Sequence, residues 1–77
     1  MKIRIDEADI KKLKDLKNTK IDYYLTQLDN IEEEKAIEFM EFLYDKANEY
    51  LQGKNYEDTP ESLILEKIAD YIYDLTN

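Results

Sequence analysis

The sequence has no cysteine, no histidine and no tryptophan, and it contains only one glycine and one proline. Without cysteine the chain can form no disulfide, and without cysteine or histidine the usual zinc, iron and copper sites are excluded. One glycine is too few for the glycine-rich loops that hold phosphate groups. Because a sheet-rich fold needs a turn roughly every ten residues, the scarcity of glycine and proline favours helices instead.

The chain also lacks long apolar segments. No stretch approaches about 18 consecutive apolar residues, and residues 1–6 do not have the apolar region of a signal peptide. We therefore expect a cytoplasmic protein without a membrane span, and the absence of cysteine is compatible with that compartment. The 77 residues predict one helical domain, residues 1–77, whose small core supplies at most about 3–5 kcal/mol of net stability.

The net charge of −8 is unevenly distributed along the chain. Residues 1–20 carry seven basic groups and four acids, a net charge of +3, whereas residues 21–77 carry four lysines and fifteen acids, a net charge of −11. Such an acidic body repels nucleic acid and anionic lipid and attracts basic protein surfaces. Frequent lysine, asparagine, isoleucine and tyrosine also indicate an AT-rich genome, such as that of a low-GC bacterium, its phage or its plasmid.

The first part of the chain predicts an extended arm and two short helices. Residues 1–5 alternate apolar and basic side chains, which is typical of a short edge strand or an extended arm. Asp6 is placed to cap a first helix that ends at Asn18, and Thr19 with Asp22 resembles a capping box for a second helix. The apolar face of the second helix is formed by Ile21, Tyr24, Leu25, Leu28 and Ile31.

The middle of the chain predicts a long third helix. Asn30 and Glu33 have the spacing of a capping box, and the helix should run from about Ile31 to Gln52 and stop at Gly53. Its side chains are apolar around most of its circumference, so most sides of this helix must be covered by other helices or by a second copy. A heptad seam suited to a homodimer through residues 31–52 is formed by Ala36, Met40, Leu43, Ala47 and Tyr50.

The end of the chain predicts a fourth helix. Thr59 is placed as its N-cap, and Pro60 follows at the first helical position, where its missing N–H costs nothing. Its core seam is formed by Leu65, Ile68, Ile72 and Leu75. Together these patterns predict an all-α fold, a compact bundle of three to four helices with a short extended N-terminal arm or strand.

Acidic side chains follow one face of each long helix. On the third helix the acids are spaced four, three and four residues apart, and neighbours of like charge at such spacings cost about 0.2–0.5 kcal/mol each. One interpretation is a solvated face that only keeps the protein in solution; the other is a surface for a basic partner. The predicted partner-binding residues are Glu34, Glu38, Glu41, Asp45, Glu66, Asp70, Tyr73 and Asp74.

Tyrosine is frequent, with seven residues in the chain. Tyr24, Tyr44, Tyr50 and Tyr71 lie on or beside apolar seams and are expected in the core or at its boundary. Tyr23, Tyr56 and Tyr73 are expected to be exposed, each within a few residues of acids. Exposed tyrosine is enriched at binding hot spots because it offers contact area and a hydroxyl group at low entropic cost.

The sequence contains no candidate residues for catalysis or cofactor binding. The commonest general base and the thiol nucleophile are missing, and Ser62 fits a helix-start residue. Residues 55–58 lack the alternating oxygen ligands and central glycine of a calcium loop. We therefore expect a protein that is not an enzyme and that has no catalytic, cofactor-binding or metal-binding residues.

A lysine cluster in the first twenty residues allows two interpretations. It consists of Lys11, Lys12, Lys14, Lys17 and Lys20. It could contact nucleic acid, but the near absence of arginine and the acidic body disfavour direct nucleic-acid binding. The favoured interpretation is charge pairing with the acidic helices of the same chain.

Three functional hypotheses follow from these features. The first is an inhibitor or adaptor that covers a basic surface of a nucleic-acid-handling protein and thereby mimics nucleic acid. A phage or mobile-element anti-defence protein, of the kind that includes anti-CRISPR proteins, is an analogous class, although no motif identifies such a family. The alternatives are a helical immunity-type protein that neutralises a toxin or bacteriocin, and a homodimeric regulatory scaffold.

Overall fold

The computed structural model of the chain describes residues 1–51 and 58–77. In these two ranges it contains four helices and no strand, so the predicted all-α fold is confirmed. The helices are α1 (Glu7–Asp15), α2 (Thr19–Leu25), α3 (Glu33–Glu49) and α4 (Pro60–Thr76). None of them is long and apolar enough to span a membrane.

The most extensive packing in the fold joins α3 and α4. The heptad seam of α3 faces inward, with Ala36, Leu43 and Ala47 buried and Met40 and Tyr50 half-buried. The seam of α4 is buried as predicted at Leu65, Ile68 and Ile72, together with Ile64 and Ala69. Leu75 is the exception, because it lies in the last turn of α4 and is 41 % exposed.

Phe39 connects this helix pair to the first part of the chain. The sequence places it on a stripe beside the α3 seam, yet its side chain is fully buried. Its ring stacks on that of Tyr24 in α2, with the ring centroids 4.7 Å apart. Tyr24 is buried, and Tyr44, Tyr50 and Tyr71 are half-buried, so their predicted core or boundary positions are confirmed.

The start of α4 follows its predicted local chemistry. Thr59 Oγ1 accepts a hydrogen bond from the Ser62 amide at 3.1 Å, and Ser62 Oγ accepts one from the Thr59 amide at 2.8 Å. The two residues thus form a reciprocal capping box, with Pro60 at the first helical position. Ser62 is fully buried, and its hydroxyl is used in this cap, as its helix-start interpretation requires.

The boundary between α1 and α2 differs from the prediction. Asn18 Oδ1 accepts hydrogen bonds from the amides of Lys20 and Ile21, both at 3.0 Å, so Asn18 rather than Thr19 caps α2. The predicted capping box of Thr19 and Asp22 is therefore wrong. Because Asn18 caps α2, α1 ends before it, at Asp15. Between the two helices, Lys17 adopts a left-handed backbone conformation with a φ of 54°.

The start of α3 also differs, and the N-terminal arm is the cause. Residues 1–5 form an extended arm in which Ile31 donates its amide to the Met1 carbonyl oxygen at 2.9 Å, and Ile3 donates to that of Leu28 at 2.8 Å. Ile31 is thus held in an extended segment, outside both α2, which ends at Leu25, and α3, which starts at Glu33. The predicted capping box of Asn30 and Glu33 does not form.

The end of α3 lies at Glu49, three residues before the predicted end at Gln52. Gln52 itself and the predicted stop at Gly53 lie outside the described residues.

Candidate protein-binding surface

The four predicted acids of α3 all lie on its solvent side. We call Glu34, Glu38, Glu41 and Asp45 the α3 acidic face, and each of them is exposed. At 100° per residue they fall within an arc of about 60°, opposite the fully buried Leu43. Burial of one side of the helix therefore presents all four carboxylates to solvent together.

Most of the carboxylates on this face have no basic partner nearby among the residues that the structure describes. Glu38 forms an ion pair with Lys35, whose Nζ lies 3.3 Å from Glu38 Oε2, and this hydrogen bond raises the pKa of Lys35. Both side chains are largely exposed, so the pair stabilises the fold little. Lys46 pairs with Glu49 instead, at 2.9 Å. In the part of the chain that the structure describes, the other three acids have no lysine or arginine nitrogen within 4.0 Å.

The predicted residues of α4 lie on its outer side. We call Glu66, Asp70, Tyr73 and Asp74 the α4 outer face; Glu66 is half-buried and the other three are exposed. They fall within an arc of about 100° opposite the buried Ile68. Tyr73 is 50 % exposed, so the prediction that this tyrosine reaches solvent is confirmed.

A hydrogen bond links the flank of α3 to the α4 outer face. Tyr44 donates its hydroxyl to Asp70 Oδ1 at a distance of 2.5 Å. This hydrogen bond is the largest cause of a rise in the pKa of Tyr44 to about 12, and desolvation and the negative charge of Asp70 add to it. Electrostatic interactions with Tyr73 and Asp74 raise the pKa of the Tyr44 hydroxyl further. The contact therefore fixes the position of one carboxylate of α4 relative to α3.

Lys67 lies among the acids of α4 in the sequence, but it forms an ion pair with a residue of another helix. Its Nζ lies 2.8 Å from Oδ2 of Asp9 in α1, and this hydrogen bond raises the pKa of Lys67. Asp9 is only 5 % exposed. The sequence reveals Asp9 only as a favourable acid in a first helical turn, because its partner comes from a distant part of the chain. As a result, the ion pair of Lys67 is formed with α1 and not with Asp70 or Asp74.

The N-terminal lysines do not pair with the acidic helices within residues 1–51 and 58–77. All five members of the cluster are exposed, and none has a carboxylate oxygen within 4.0 Å there. Lys20 instead places its Nζ 4.7 Å from the ring centroid of Phe42, a cation–π contact. The favoured interpretation of internal charge pairing thus finds no support among the described residues.

The remaining predictions concern the exposed tyrosines, the homodimer seam and metal binding. Tyr23 is 59 % exposed, as predicted, and Tyr56 lies outside the described residues. Leu43 and Ala47 of the seam proposed for a homodimer are already buried within one chain. Within the described ranges, no three acidic side chains converge as a possible metal site.

The structure thus brings the eight predicted residues onto two helices that pack against each other. Seven of them are exposed, and the Tyr44–Asp70 hydrogen bond joins the two helices at this surface. The sequence could not show this contact, because the register of α3 on α4 depends on tertiary packing. No protein-family model, curated protein or solved structure matches the chain.

Proposed function

We propose that the α3 acidic face and the α4 outer face together bind a basic surface on a protein partner, so that the chain acts as an inhibitor or adaptor. The proposal places this action in the cytoplasm. It assigns the chemistry of recognition to carboxylates and exposed tyrosine, with no reaction carried out by the chain itself.

One observation carries the proposal. Three of the four carboxylates on the α3 acidic face have no basic partner within 4.0 Å among the described residues, although α3 itself contains Lys35 and Lys46. Clustered charge of one sign costs free energy through repulsion and adds nothing to packing. A basic partner would remove this repulsion on binding and would be attracted from a distance at low salt.

The chemistry of the surface points to a partner that handles nucleic acid. Such proteins have clustered lysine and arginine that bind phosphates. Carboxylates on a helix can occupy the same basic groups, and a neighbouring aromatic ring such as that of Tyr73 can occupy the apolar sites between them. In an AT-rich phage or mobile element, a protein of this kind would inhibit a defence enzyme of the host by covering its nucleic-acid site.

The proposal is tested by reversing the charge of the α3 acidic face. The wild-type chain is immobilised, its partner is captured from a low-GC bacterial lysate at low salt, and the partner is identified by mass spectrometry. The triple variant Glu38→Lys, Glu41→Lys, Asp45→Lys should bind the purified partner about a hundredfold more weakly, because three attractive charges become repulsive.

The matched control changes three exposed acids outside both surfaces, Glu7→Lys, Asp22→Lys and Asp29→Lys, and so changes the net charge by the same amount. Its affinity should stay within a few-fold of wild type. If the two triple variants weaken binding equally, only the net charge matters and the proposed surface is wrong. If neither weakens it at moderate salt, the electrostatic proposal itself fails.

A further inference from the structure

An apolar groove lies at the junction of α1 and the start of α4. Its volume is about 500 Å³, and its apolar lining is formed by Leu16, Pro60, Leu63 and Ile64. Leu63 is 54 % exposed, although the rest of its helix buries its large aliphatic side chains except at the last turn. The groove is therefore an apolar surface that residues 1–51 and 58–77 leave open to solvent.

The charged rim of this groove is balanced. Lys12 and Lys67 contribute positive charge, and Asp15 and Glu61 contribute negative charge. Lys67 is also held in position by its ion pair with Asp9. The groove itself thus selects for an apolar side chain and not for a charge of either sign.

The groove continues directly into the α4 outer face. Leu63, Lys67, Asp70 and Asp74 follow one another at spacings of four, three and four residues, which places them on one stripe of α4. With a rise of 1.5 Å per residue, Asp70 lies about 10 Å and Asp74 about 16 Å further along the helix than Leu63. One stripe therefore presents an apolar site at its start and two carboxylates at its end.

We propose that this stripe is a docking site for a basic amphipathic helix of the partner. A bulky apolar side chain of that helix enters the groove beside Leu63, and arginine or lysine side chains about two and three turns along it lie over Asp70 and Asp74. The inference rests on the proposed function and adds the form of the partner segment. A helix fits because its residues seven and eleven positions after the apolar side chain lie on the same face as that side chain. The distances along its axis match those from Leu63 to Asp70 and to Asp74, since both helices rise by about 1.5 Å per residue. The acidic end of the stripe makes the complementary segment basic.

The test uses a synthetic alanine-based helical peptide of about eighteen residues with one phenylalanine and, seven and eleven residues along, two arginines. Binding to the full chain is measured by NMR titration at low salt. Leu63→Ser should weaken binding about tenfold, because it removes the apolar contact beside the groove, and it should leave the fold intact because Leu63 is more than half exposed. The matched control is Leu75→Ser, an exposed leucine of the same helix outside the stripe, which should leave the affinity unchanged.

One further variant of the chain and a second peptide separate this inference from the proposed function. Asp74→Lys should weaken binding of the arginine peptide and leave that of a peptide with glutamine in place of arginine unchanged. If Leu63→Ser has no effect while Asp74→Lys weakens binding, the docking inference is overturned but the acidic surface stands. If the peptide does not bind the wild-type chain, the inference also fails. If the chain instead self-associates through Leu63 without peptide, the occupant is a second copy and the basic-helix inference is wrong.

Discussion

The chain consists of two regions that are held together by different means. We call α3 and α4 the helix pair, and residues 1–31 the N-terminal region. In the helix pair, two helices of 17 residues bury apolar side chains against each other along much of their length. The N-terminal region has helices of only nine and seven residues and an arm attached through backbone hydrogen bonds to Leu28 and Ile31.

This difference has an energetic consequence. Isolated helices shorter than about 12–15 residues are marginal in water, so α1 and α2 depend on contacts with the helix pair. Those contacts include the Asp9–Lys67 ion pair, the stacking of Tyr24 on Phe39, and burial of Ile3, Leu13 and Ile21. The predicted partner-binding surface therefore lies on the more extensively packed region, whose helices can hold carboxylates in fixed positions.

The largest effect is expected from a cavity in the core of the helix pair. Leu65 is fully buried, and Leu65→Ala should lower the free energy of unfolding by about 2–5 kcal/mol. Since a domain of this size has little more than that in total, the variant should lose helix content throughout the chain. Urea denaturation followed by circular dichroism measures this; a variant that keeps full helicity and wild-type stability would contradict the central role of the pair.

The same substitution, leucine to alanine, should have a more local effect in α1. Leu13 is also fully buried, and Leu13→Ala should cost about 2–4 kcal/mol where α1 contacts the rest of the fold. We expect α1 to detach while α3 and α4 keep their backbone NMR shifts. If Leu13→Ala instead unfolds both regions in one transition, the two regions form a single cooperative unit and the comparison fails.

The N-terminal cap of α4 should contribute a smaller amount. Thr59→Ala removes the side-chain half of the capping box and should lower stability by about 1 kcal/mol. Thr59→Asn is the matched control, because asparagine can accept the same hydrogen bond and should restore most of the loss. Thermal unfolding of both variants checks this, and equal losses would show that the cap is not the cause.

The smallest effect is expected at the contact between the two acidic surfaces. Tyr44→Phe removes the hydrogen bond to Asp70 and should cost about 1 kcal/mol or less near neutral pH, because the bond lies at the surface. The cost should depend on pH. The pKa of Tyr44 is raised to about 12, whereas a tyrosine in an unfolded chain has a pKa near 10.

Between these two values the unfolded chain releases the phenol proton and the folded chain keeps it, so the stabilisation by Tyr44 falls as the pH rises. It is fully present below about pH 10 and is lost as the pH approaches about 12. The difference in unfolding free energy between wild type and Tyr44→Phe should therefore shrink across this window. A difference that stays constant up to pH 12 would show that the hydrogen bond to Asp70 does not raise the pKa of the Tyr44 hydroxyl.

The sequence predicts the fold well where the signal is local and repeated. The apolar periodicity of α3 and α4 is long enough to specify both helices, and Thr59 with Pro60 marks the start of α4 at the predicted residues. The predicted helix boundaries are wrong where two neighbouring residues can both cap a helix, and where a segment distant in sequence binds the backbone. Asn18 takes the cap that the pattern gives to Thr19, and the arm holds Ile31 out of a helix.

The sequence predicts which residues form the candidate surface, but it does not predict the contacts that these helices make with one another. Exposure of Glu34, Glu38, Glu41 and Asp45 follows from helical geometry once the apolar side of α3 is known. The Tyr44–Asp70 and Asp9–Lys67 contacts span 26 and 58 residues of sequence, so they depend on how the helices pack and have no local signal.

The most direct test of the account is to map the footprint of the captured partner on the folded chain by NMR. We expect the NMR signals of the backbone amides of Glu38, Glu41 and Asp45, and those of the α4 outer face, to shift on binding, and we expect these shifts to decrease as salt is raised. Lys11 and Lys14 of α1, which do not line the groove beside Leu63, should remain unaffected. A footprint confined to those lysines and the arm, with α3 and α4 unchanged, would contradict the account.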